Sequence, residues 1–159
     1  MTARPDDSRI EVFSRFLMAH QHVYEALNKS LVEERGITLP WYDVLLQLSR
    51  EPDGRLRLQD LADRVLYSRS GLTRLIDRME KAGLVSREPC PDDRRGTFAV
   101  LTSDGRRTFR RAAPSHLRGI EQNFFSKLNE EDIENLGRAM SDVLDGSRCV
   151  SEDQIPADQ

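Results

Sequence analysis

The chain has 159 residues, of which 32% are charged, and its net charge is −3. This length suits one subunit with a modest core, and no apolar run is long enough to span a bilayer. The first residues lack the pattern of a signal peptide, and the two cysteines, Cys90 and Cys149, have no paired spacing. We therefore expect a reduced, cytoplasmic protein that has no metal site and needs no cofactor.

The charge is unevenly distributed along the chain. Residues 50–111 contain 15 Lys and Arg against 10 Asp and Glu, whereas the remainder contains 9 against 17. A basic middle between acidic flanks indicates that one region can approach phosphate groups while the rest faces elsewhere. The negative net charge argues against a protein that coats nucleic acid indiscriminately.

A long amphipathic helix is predicted from about residue 8 to Arg35, where Gly36 provides the terminating position. Its apolar stripe recurs at alternating steps of three and four and consists of Ile10, Phe13, Leu17, His20, Tyr24, Leu27 and Leu31. At about 1.5 Å per residue the helix would run roughly 42 Å, which is more than a small domain needs in order to bury it. The helix therefore either braces the domain or packs against another chain.

Three shorter helices are predicted next. Pro40 suits the first turn of the second helix, which Thr38 or Leu39 would cap, and residues 51–54 form a turn after it. A short third helix follows, and Ser68 is the predicted N-cap of the fourth. Two short helices joined through a tight turn predict a helix-turn-helix.

The fourth helix separates apolar from polar residues. Its predicted core face, spaced at i, i+3, i+4 and i+7, consists of Leu72, Leu75, Ile76 and Met79. Its polar face includes Arg69, Ser70, Thr73 and Arg74. In a helix that enters the major groove, Arg can bond guanine, and Ser or Thr can bond phosphate. This face predicts DNA contact, although an ordinary solvated helix face has a similar composition.

A β-hairpin is predicted after the glycine that ends the fourth helix. Its charged turn spans residues 91–96, and its return strand spans residues 97–101. The pattern places Arg94 and Arg95 at the apex, a shape suited to a narrow minor groove with negative potential. Asp93 would orient one of them by a bidentate pair and leave the other free. The alternative is a solvated hairpin turn.

Two more helices complete the chain. Thr102 is the predicted cap of the fifth helix and Asn129 that of the sixth, which Gly146 is expected to end. The apolar stripe of the sixth helix consists of Ile133, Leu136, Met140, Val143 and Leu144. The stripes of the first and the last helices exceed what the central unit can cover, which predicts a two-fold dimer. A single monomeric bundle is the alternative.

Three segments resemble the MarR family of bacterial transcriptional regulators. They are LQDLADRV (58–65), SRSGLTRLIDRMEKAGLVSRE (68–88) and DRRGTFAVLT (93–102), the last followed by SDG. In that family the wing has Asp, one residue, Arg and then a strand that closes in Leu-Thr. The matching residues here are Asp93, Arg95, Leu101 and Thr102. The resemblance spans about residues 8–146.

The resemblance implies a mainly α fold with an α+β wing, in a single subunit over residues 1–159. The implied parts are a winged helix-turn-helix lobe at 37–102, a helical dimerisation region at 8–36 plus 103–146, and flexible termini at 1–7 and 147–159. It also implies a homodimer that binds double-stranded DNA at a pseudo-palindromic operator. Such regulators usually repress, and they often release DNA when a small-molecule effector binds.

The site residues of the family transfer to particular positions of this chain. The implied major-groove contacts are Ser68, Arg69, Ser70, Thr73 and Arg74. Arg95, together with Arg94, would reach the minor groove while Asp93 holds the wing arginine. The implied effector pocket includes His20, Tyr24, Trp41 and Tyr42, although aromatic residues at such spacing are more often plain core.

Two features depart from the family pattern. Arg57 stands where the family usually has a Ser or Thr cap, so the third helix frays at its start or Arg57 contacts phosphate instead. No cysteine lies near the N-terminus in the position of a redox sensor, and Cys90 is expected to be buried or inert.

Two other classes of function fit the sequence less well than a DNA-binding regulator does. An enzyme needs clustered catalytic groups, yet His20, His22 and His116 have no metal spacing, and no Gly-rich phosphate loop or nucleophile motif is present. A winged helix that binds only protein would not need the exposed arginines of the fourth helix and the hairpin. The sequence therefore favours a DNA-binding regulator that is not an enzyme.

Overall fold

The computed structural model describes residues 8–65, 67–91 and 93–148, with the backbone alone at 94, 95 and 146–148. Cys149 and most of both predicted flexible termini lie outside the described residues. The elements are α1 (Ser8–Arg35), α2 (Leu39–Arg50), β1 (Arg55–Arg57), α3 (Leu58–Arg64), α4 (Arg69–Lys81), β2 (Val85–Cys90), β3 (Asp93–Leu101), α5 (Ser103–Asn123), a 3-10 turn (Phe125–Lys127) and α6 (Glu130–Arg148). The chain forms two compact units, which divide within α5 after Ile120.

The core of the first unit is apolar and continuous. It joins the carboxyl-terminal half of α1 to α2, α3, α4 and the sheet, and its fully buried members include Leu31, Leu45, Leu61, Ile76 and Met79. All four apolar residues predicted for the core face of α4 are buried. Because these residues recur with the helical period, their burial leaves the polar face of α4 exposed.

Side chains cap three helices at the positions that the sequence predicts. The Gly71 amide donates to Ser68 Oγ at 3.1 Å at the start of α4, and the Gly105 amide donates to Thr102 Oγ1 at 2.9 Å at the start of α5. Asn129 caps α6 in the same way. These bonds satisfy amide groups that the helix itself leaves unpaired, so each helix begins at a defined residue.

A three-stranded antiparallel sheet, in the order β1-β3-β2, completes the first unit. The hairpin of β2 and β3 was predicted, but β1 was not. This strand has three residues, and in it Leu56 lies opposite Ala99 of β3. Three residues with one inward side chain are too short to show an alternating pattern, so only the pairing with β3 reveals the strand.

The second unit contains α6, which continues to Arg148 rather than ending at Gly146 as the sequence predicted. A glycine inside a helix costs about 1 kcal/mol relative to alanine, which is too little to end a helix by itself. Ile133, Val143 and Leu144 of α6 are exposed. Over the described ranges, no helix is both long and apolar enough to cross a membrane.

Candidate nucleic-acid interface

The amino-terminal half of α4 presents an exposed polar face, which we call the reading face. Its members, all exposed, are Ser68, Arg69, Ser70, Thr73 and Arg74. Thr73 Oγ1 donates to the Arg69 carbonyl at 2.9 Å, so its hydroxyl is oriented and keeps its lone pairs for another donor. The structure thus brings together all five residues that the sequence assigned to the major groove.

The hairpin of β2 and β3 differs from its prediction at the tip. Pro89 lies opposite Thr97 and Cys90 lies opposite Asp93, so residues 94–96 have no partner in β2 and form a bulge in β3. Arg94 and Arg95 therefore lie past the turn, in the strand, rather than at the apex where the sequence placed them. Pro89 has no amide group to donate to β3, and the regular pairing of the two strands ends at this residue.

Gly96 allows the bulge to close over Cys90. A Cβ atom at Gly96 would lie 2.7 Å from Cys90 Sγ and 2.9 Å from Asp93 Oδ2, so any side chain here would force Cys90 or Asp93 to shift. Cys90 is buried beneath this point, as the sequence predicted, and is a free thiol. The glycine of the wing motif thus has a packing role that the sequence alone does not reveal.

Asp93 connects the bulge to β1. Arg57 Nη1 donates to Asp93 Oδ2 at 3.3 Å, and the Arg57 guanidinium lies 5.7 Å from the centroid of the Phe98 ring. The Arg55 guanidinium lies over the same ring at 5.1 Å. Arg57 makes no side-chain cap at α3, and it contacts the wing instead. The pairing of Asp93 with Arg95 stays a prediction, because the Arg95 side chain lies outside the description.

Arg87 of β2 is a residue that sequence reasoning missed. Its guanidinium contacts Asp77 Oδ1 at 2.6 Å and Glu80 Oε2 at 2.5 Å, and it donates to the Thr73 carbonyl at 3.3 Å. The only signal in the sequence was a pair of carboxylates three residues apart on α4. Their partner is decided by the register of β2, which the sequence does not give.

A cavity of about 260 Å³ lies beside α4. Its lining residues are Tyr24, Asn28, Thr38, Pro40, Trp41, Tyr67, Leu75 and Arg78. Of the four residues predicted for an effector pocket, the structure brings Tyr24 and Trp41 together here. Sequence reasoning missed Asn28, Tyr67 and Arg78, because nothing in their spacing links them to the aromatic residues of α1 and α2.

The other two predicted pocket residues do not line this cavity. Tyr42 is buried on a different side of α2, where its ring centroid lies 4.2 Å from that of His116 and 5.4 Å from that of Phe109. The His20 ring lies 6.3 Å from the Tyr24 ring, on exposed surface. Tyr42 thus has the core role that aromatic spacing most often indicates.

Burial shifts the pKa values of several groups near α2. It raises the pKa of Asp43 to about 6 and lowers the pKa of His116, since both groups lose solvation of their charged forms. Burial also raises the pKa of Tyr24, with further contributions from Tyr67 and Asp43. Tyr24 therefore stays a neutral hydroxyl at the cavity. Among the described residues, no group of His, Cys, Asp and Glu is arranged to hold a metal ion.

These features define a class of protein. A helix-turn-helix whose second helix exposes Arg, Ser and Thr, followed by a basic wing, is the arrangement of a winged helix-turn-helix DNA-binding protein. A model of the MarR family matches residues 35–96. AbsC, a MarR family transcriptional regulator from Streptomyces coelicolor, is similar to this chain at 35% identity and a TM-score of 0.85, covering 92% of this chain and 99% of AbsC.

Two further proteins similar to this chain are regulators of transcription. Sco3205, a MarR family regulator from Streptomyces coelicolor whose structure contains DNA, is 32% identical, has a TM-score of 0.87, and covers 99% of this chain and 97% of its own. The transcriptional activatory protein BadR from Rhodopseudomonas palustris is 27% identical over 92% of this chain and 86% of BadR. The chain belongs to the MarR family of transcriptional regulators. It is a DNA-binding transcriptional regulator and not an enzyme.

Proposed function

We propose that this regulator binds a pseudo-palindromic operator as a homodimer, with α4 of each subunit in a major groove. The observation that carries the proposal is the reading face, where five exposed polar residues occupy the N-cap and the first two turns of α4. Residues near the amino-terminal end of a recognition helix contact base edges, and the helix dipole there favours phosphate. Arg69 and Arg74 would bond guanine or phosphate, and Ser68, Ser70 and Thr73 would bond phosphate or contact thymine methyl groups.

We propose that the wing supplies the second contact on each half-site. The backbone of Arg94 and Arg95 lies in the bulge of β3, where the strand leaves its regular pairing with β2. Arginine inserted into a narrow minor groove is favoured by the negative potential there. Asp93, held by Arg57 on one side, would orient Arg95 on the other, because one carboxylate has enough lone pairs for two guanidiniums.

DNA binding and dimerisation would belong to different parts of the chain. Residues 37–102 would form the DNA-binding lobe, and 8–36 with 103–146 would form the dimerisation region. The apolar residues of the amino-terminal half of α1, among them Phe13, Phe16 and Leu17, are exposed in the single chain. An exposed apolar stripe of that length is typical of an interface, and a second copy of the chain can bury it with two-fold symmetry. Such a regulator would act in the cytoplasm, where bacterial DNA is accessible.

The operator can be tested with the DNA beside the regulator's own gene. An inverted repeat there, with half-sites about one helical turn or roughly 10 bp apart, should bind tightly in a fluorescence anisotropy assay. Binding should weaken steeply as salt rises, because phosphate contacts release counterions. Equal affinity for this repeat and for a scrambled repeat at physiological salt would overturn the proposal.

Arg95→Ala tests the wing within the same assay. We expect about a tenfold loss of affinity, strongest on sites with A·T flanks, because those flanks narrow the minor groove. Arg118→Ala is the matched control, since Arg118 is an exposed arginine whose guanidinium pairs with Glu34 at 3.0 Å. The control should bind DNA as the unmodified protein does. An Arg95→Ala variant with unchanged affinity would remove the wing from the proposed interface.

We propose that the protein represses transcription and that a small-molecule effector releases it from DNA. The cavity supports an effector, because its lining combines three aromatic rings with the Arg78 guanidinium, the rings being those of Tyr24, Trp41 and Tyr67. Trp41 is the single tryptophan of the chain, so its fluorescence reports on this cavity.

A reporter gene placed behind the operator tests repression. It should be less active when the regulator is expressed, whereas increased activity would identify an activator.

Benzoate is a suitable first probe of the cavity, since it offers one ring to the aromatic lining and one carboxylate to Arg78. We expect saturable quenching of Trp41 fluorescence and a parallel loss of operator binding. Arg78→Met should weaken both responses. Fluorescence that stays constant through the titration, with operator binding unchanged, would exclude effectors of this chemical class.

A further inference from the structure

Arg87 joins the wing to the recognition helix by several bonds at once. From its place in β2, opposite Ala99 of β3, its guanidinium reaches two carboxylates and one backbone carbonyl of α4, those of Asp77, Glu80 and Thr73. Its own backbone amide also donates to Glu80 Oε1 at 3.1 Å. Main chain and side chain of one strand residue are thus both fixed to the same helix.

This arrangement differs from an ordinary surface ion pair. Exposed pairs contribute little, because solvent screens them and both side chains lose freedom. The Arg87 side chain is only 24% exposed, and its planar fork divides between two carboxylates that lie one turn apart on α4. A guanidinium can hold this geometry, whereas an ammonium group cannot, because its donors radiate from one point.

The bond network lies beyond a short connection between α4 and β2. Only residues 82–84 separate the end of α4 from the start of β2, and Gly83 in this connection has a φ of 73°. A connection of this kind sets where the chain turns but leaves the angle between helix and strand to other contacts. Thr102 Oγ1 fixes the connection itself, since it donates to the Gly83 carbonyl at 2.7 Å and to the Leu84 carbonyl at 3.0 Å. Arg87 adds an attachment two residues into β2, and this attachment fixes the direction of the strand that supports the wing.

We propose that Arg87 is a positioning residue for DNA binding, which fixes the wing relative to the recognition helix so that both fit one half-site. This inference rests on the proposed function, because it assumes that the reading face and the wing contact the same DNA. Arg87 would not touch DNA in this role. Its effect would pass through Arg95, whose insertion depends on the direction of the hairpin.

A simpler role for Arg87 would be to neutralise Asp77 and Glu80. Both carboxylates lie on the same helix as Arg74, and without a cation beside them they would repel phosphate. Charge neutralisation and positioning lead to different results. If Arg87 acts only through its charge, a variant that lacks Arg87 and also both carboxylates should regain operator binding. If Arg87 positions the wing, that variant should stay weak, because the bonds between β2 and α4 are still missing.

The decisive experiment is a double-mutant cycle between Arg87→Met and Arg95→Ala, measured as operator affinity by fluorescence anisotropy. In the unmodified protein, Arg95→Ala should lower affinity about tenfold. In the Arg87→Met background the same change should cost less than about threefold, because the wing is already misplaced. In an Arg118→Met background, which removes a guanidinium remote from the wing, the full tenfold loss should persist.

The outcomes separate the inference from the function on which it rests. If the unmodified protein does not distinguish its operator from scrambled DNA, the proposed function fails. If it does distinguish them and Arg95→Ala costs about tenfold in all three backgrounds, Arg87 does not position the wing. Thermal unfolding of each variant checks that it folds. If Arg87→Met does not fold, a more conservative substitution of Arg87 can be used.

Arg87→Lys is that substitution, since it keeps the charge and loses the fork. We expect it to bind the operator clearly less well than the unmodified protein, and wild-type affinity would overturn the positioning role. The variant Asp77→Asn, Glu80→Gln, Arg87→Met removes all three charges. It should stay as weak as Arg87→Met alone, whereas recovery of operator affinity would assign Arg87 to charge neutralisation instead.

Discussion

Gly105, in the first turn of α5, illustrates how one residue can depend on a neighbouring backbone. A Cβ atom there would lie 2.0 Å from the Leu84 carbonyl oxygen, and this carbonyl also accepts a hydrogen bond from Thr102 Oγ1 at 3.0 Å. The first turn of α5 is therefore pressed against the connection between α4 and β2. Neither partner can move away cheaply, because one is backbone and the other is fixed by the cap.

Gly105→Ala is expected to destabilise the protein by about 3 kcal/mol, since overpacking against backbone must displace α5 or the connection. Chemical denaturation at constant protein concentration measures the change. Gly137→Ala is the matched control, because a Cβ at this position of α6 meets nothing within 4 Å. Alanine should raise stability there by about 1 kcal/mol through helix propensity. Equal effects of the two substitutions would contradict the close approach.

Asp43 predicts a dependence on pH. Burial raises its pKa to about 6, so the folded state binds the proton more tightly than the unfolded state does. The sign follows from linkage: stability falls as pH rises from the ordinary value of an aspartate to above 6, and the cost is fully present at neutral pH. Asp43→Asn removes that cost.

We expect Asp43→Asn to be more stable than the unmodified protein at pH about 8, by about 1–2 kcal/mol after allowance for solvent screening. The difference should shrink as pH falls through about 6 and vanish below pH about 3, where the carboxyl is neutral in both the folded and the unfolded state. Denaturation curves at these pH values test it. A stability difference that does not change with pH would contradict the raised pKa.

At the level of the elements, the start of α4 depends on the side chain of Ser68. The Ser68 hydroxyl accepts from the Gly71 amide at 3.1 Å and lies 3.5 Å from the Ser70 hydroxyl. The same serine is proposed to contact DNA, so one side chain both starts the recognition helix and belongs to its reading face. Substitution with alanine alone cannot separate these two roles.

Two substitutions at Ser68 separate them. Ser68→Ala should lower stability by about 1 kcal/mol through loss of the cap, and it should weaken operator binding. Ser68→Asp keeps a capping oxygen and favours the helix dipole, so stability should be retained while the added charge repels phosphate and weakens binding further. Thermal unfolding and fluorescence anisotropy measure the two properties. Unimpaired binding by Ser68→Asp would place this residue away from the DNA.

The elements also show where local patterns suffice. The period of apolar residues located α1, α4 and α6, and the polar residues Ser68, Thr102 and Asn129 located the caps of α4, α5 and α6. The sheet was harder to predict from local patterns in the sequence. β1 and the bulge at residues 94–96 depend on pairing between distant segments, and a three-residue strand or a shifted register leaves no periodic trace.

For the whole molecule, the apolar stripe of α1 is the feature that a single chain leaves unexplained. Its carboxyl-terminal part is buried at Leu27 and Leu31, but Phe13 is 57% exposed although it lies on the same stripe. One helix therefore serves the core of the subunit with one half and presents an apolar surface with the other. The proposed homodimer uses the second half.

Phe13→Glu combined with Leu17→Glu should convert the dimer to a monomer, because two buried charges replace apolar contacts in each subunit. Light scattering after size-exclusion chromatography measures the mass, and operator binding should fall steeply as one half-site is lost. Met18→Glu is the control. Met18 is 72% exposed and lies off the stripe, so this variant should remain dimeric. A dimeric double variant would move the interface away from α1.

The sequence alone determined the helices, the caps of three of them, the reading face of α4 and the family, because each rests on neighbouring residues or on a contiguous motif. Only the tertiary structure decided that Arg57 bonds Asp93, that Arg87 joins β2 to α4, and that Tyr42 belongs to the core whereas Tyr24 and Trp41 face a cavity. The physical reason is the same in each case. Charged and aromatic side chains can satisfy their contacts in many ways, and the packing of segments distant in sequence selects one.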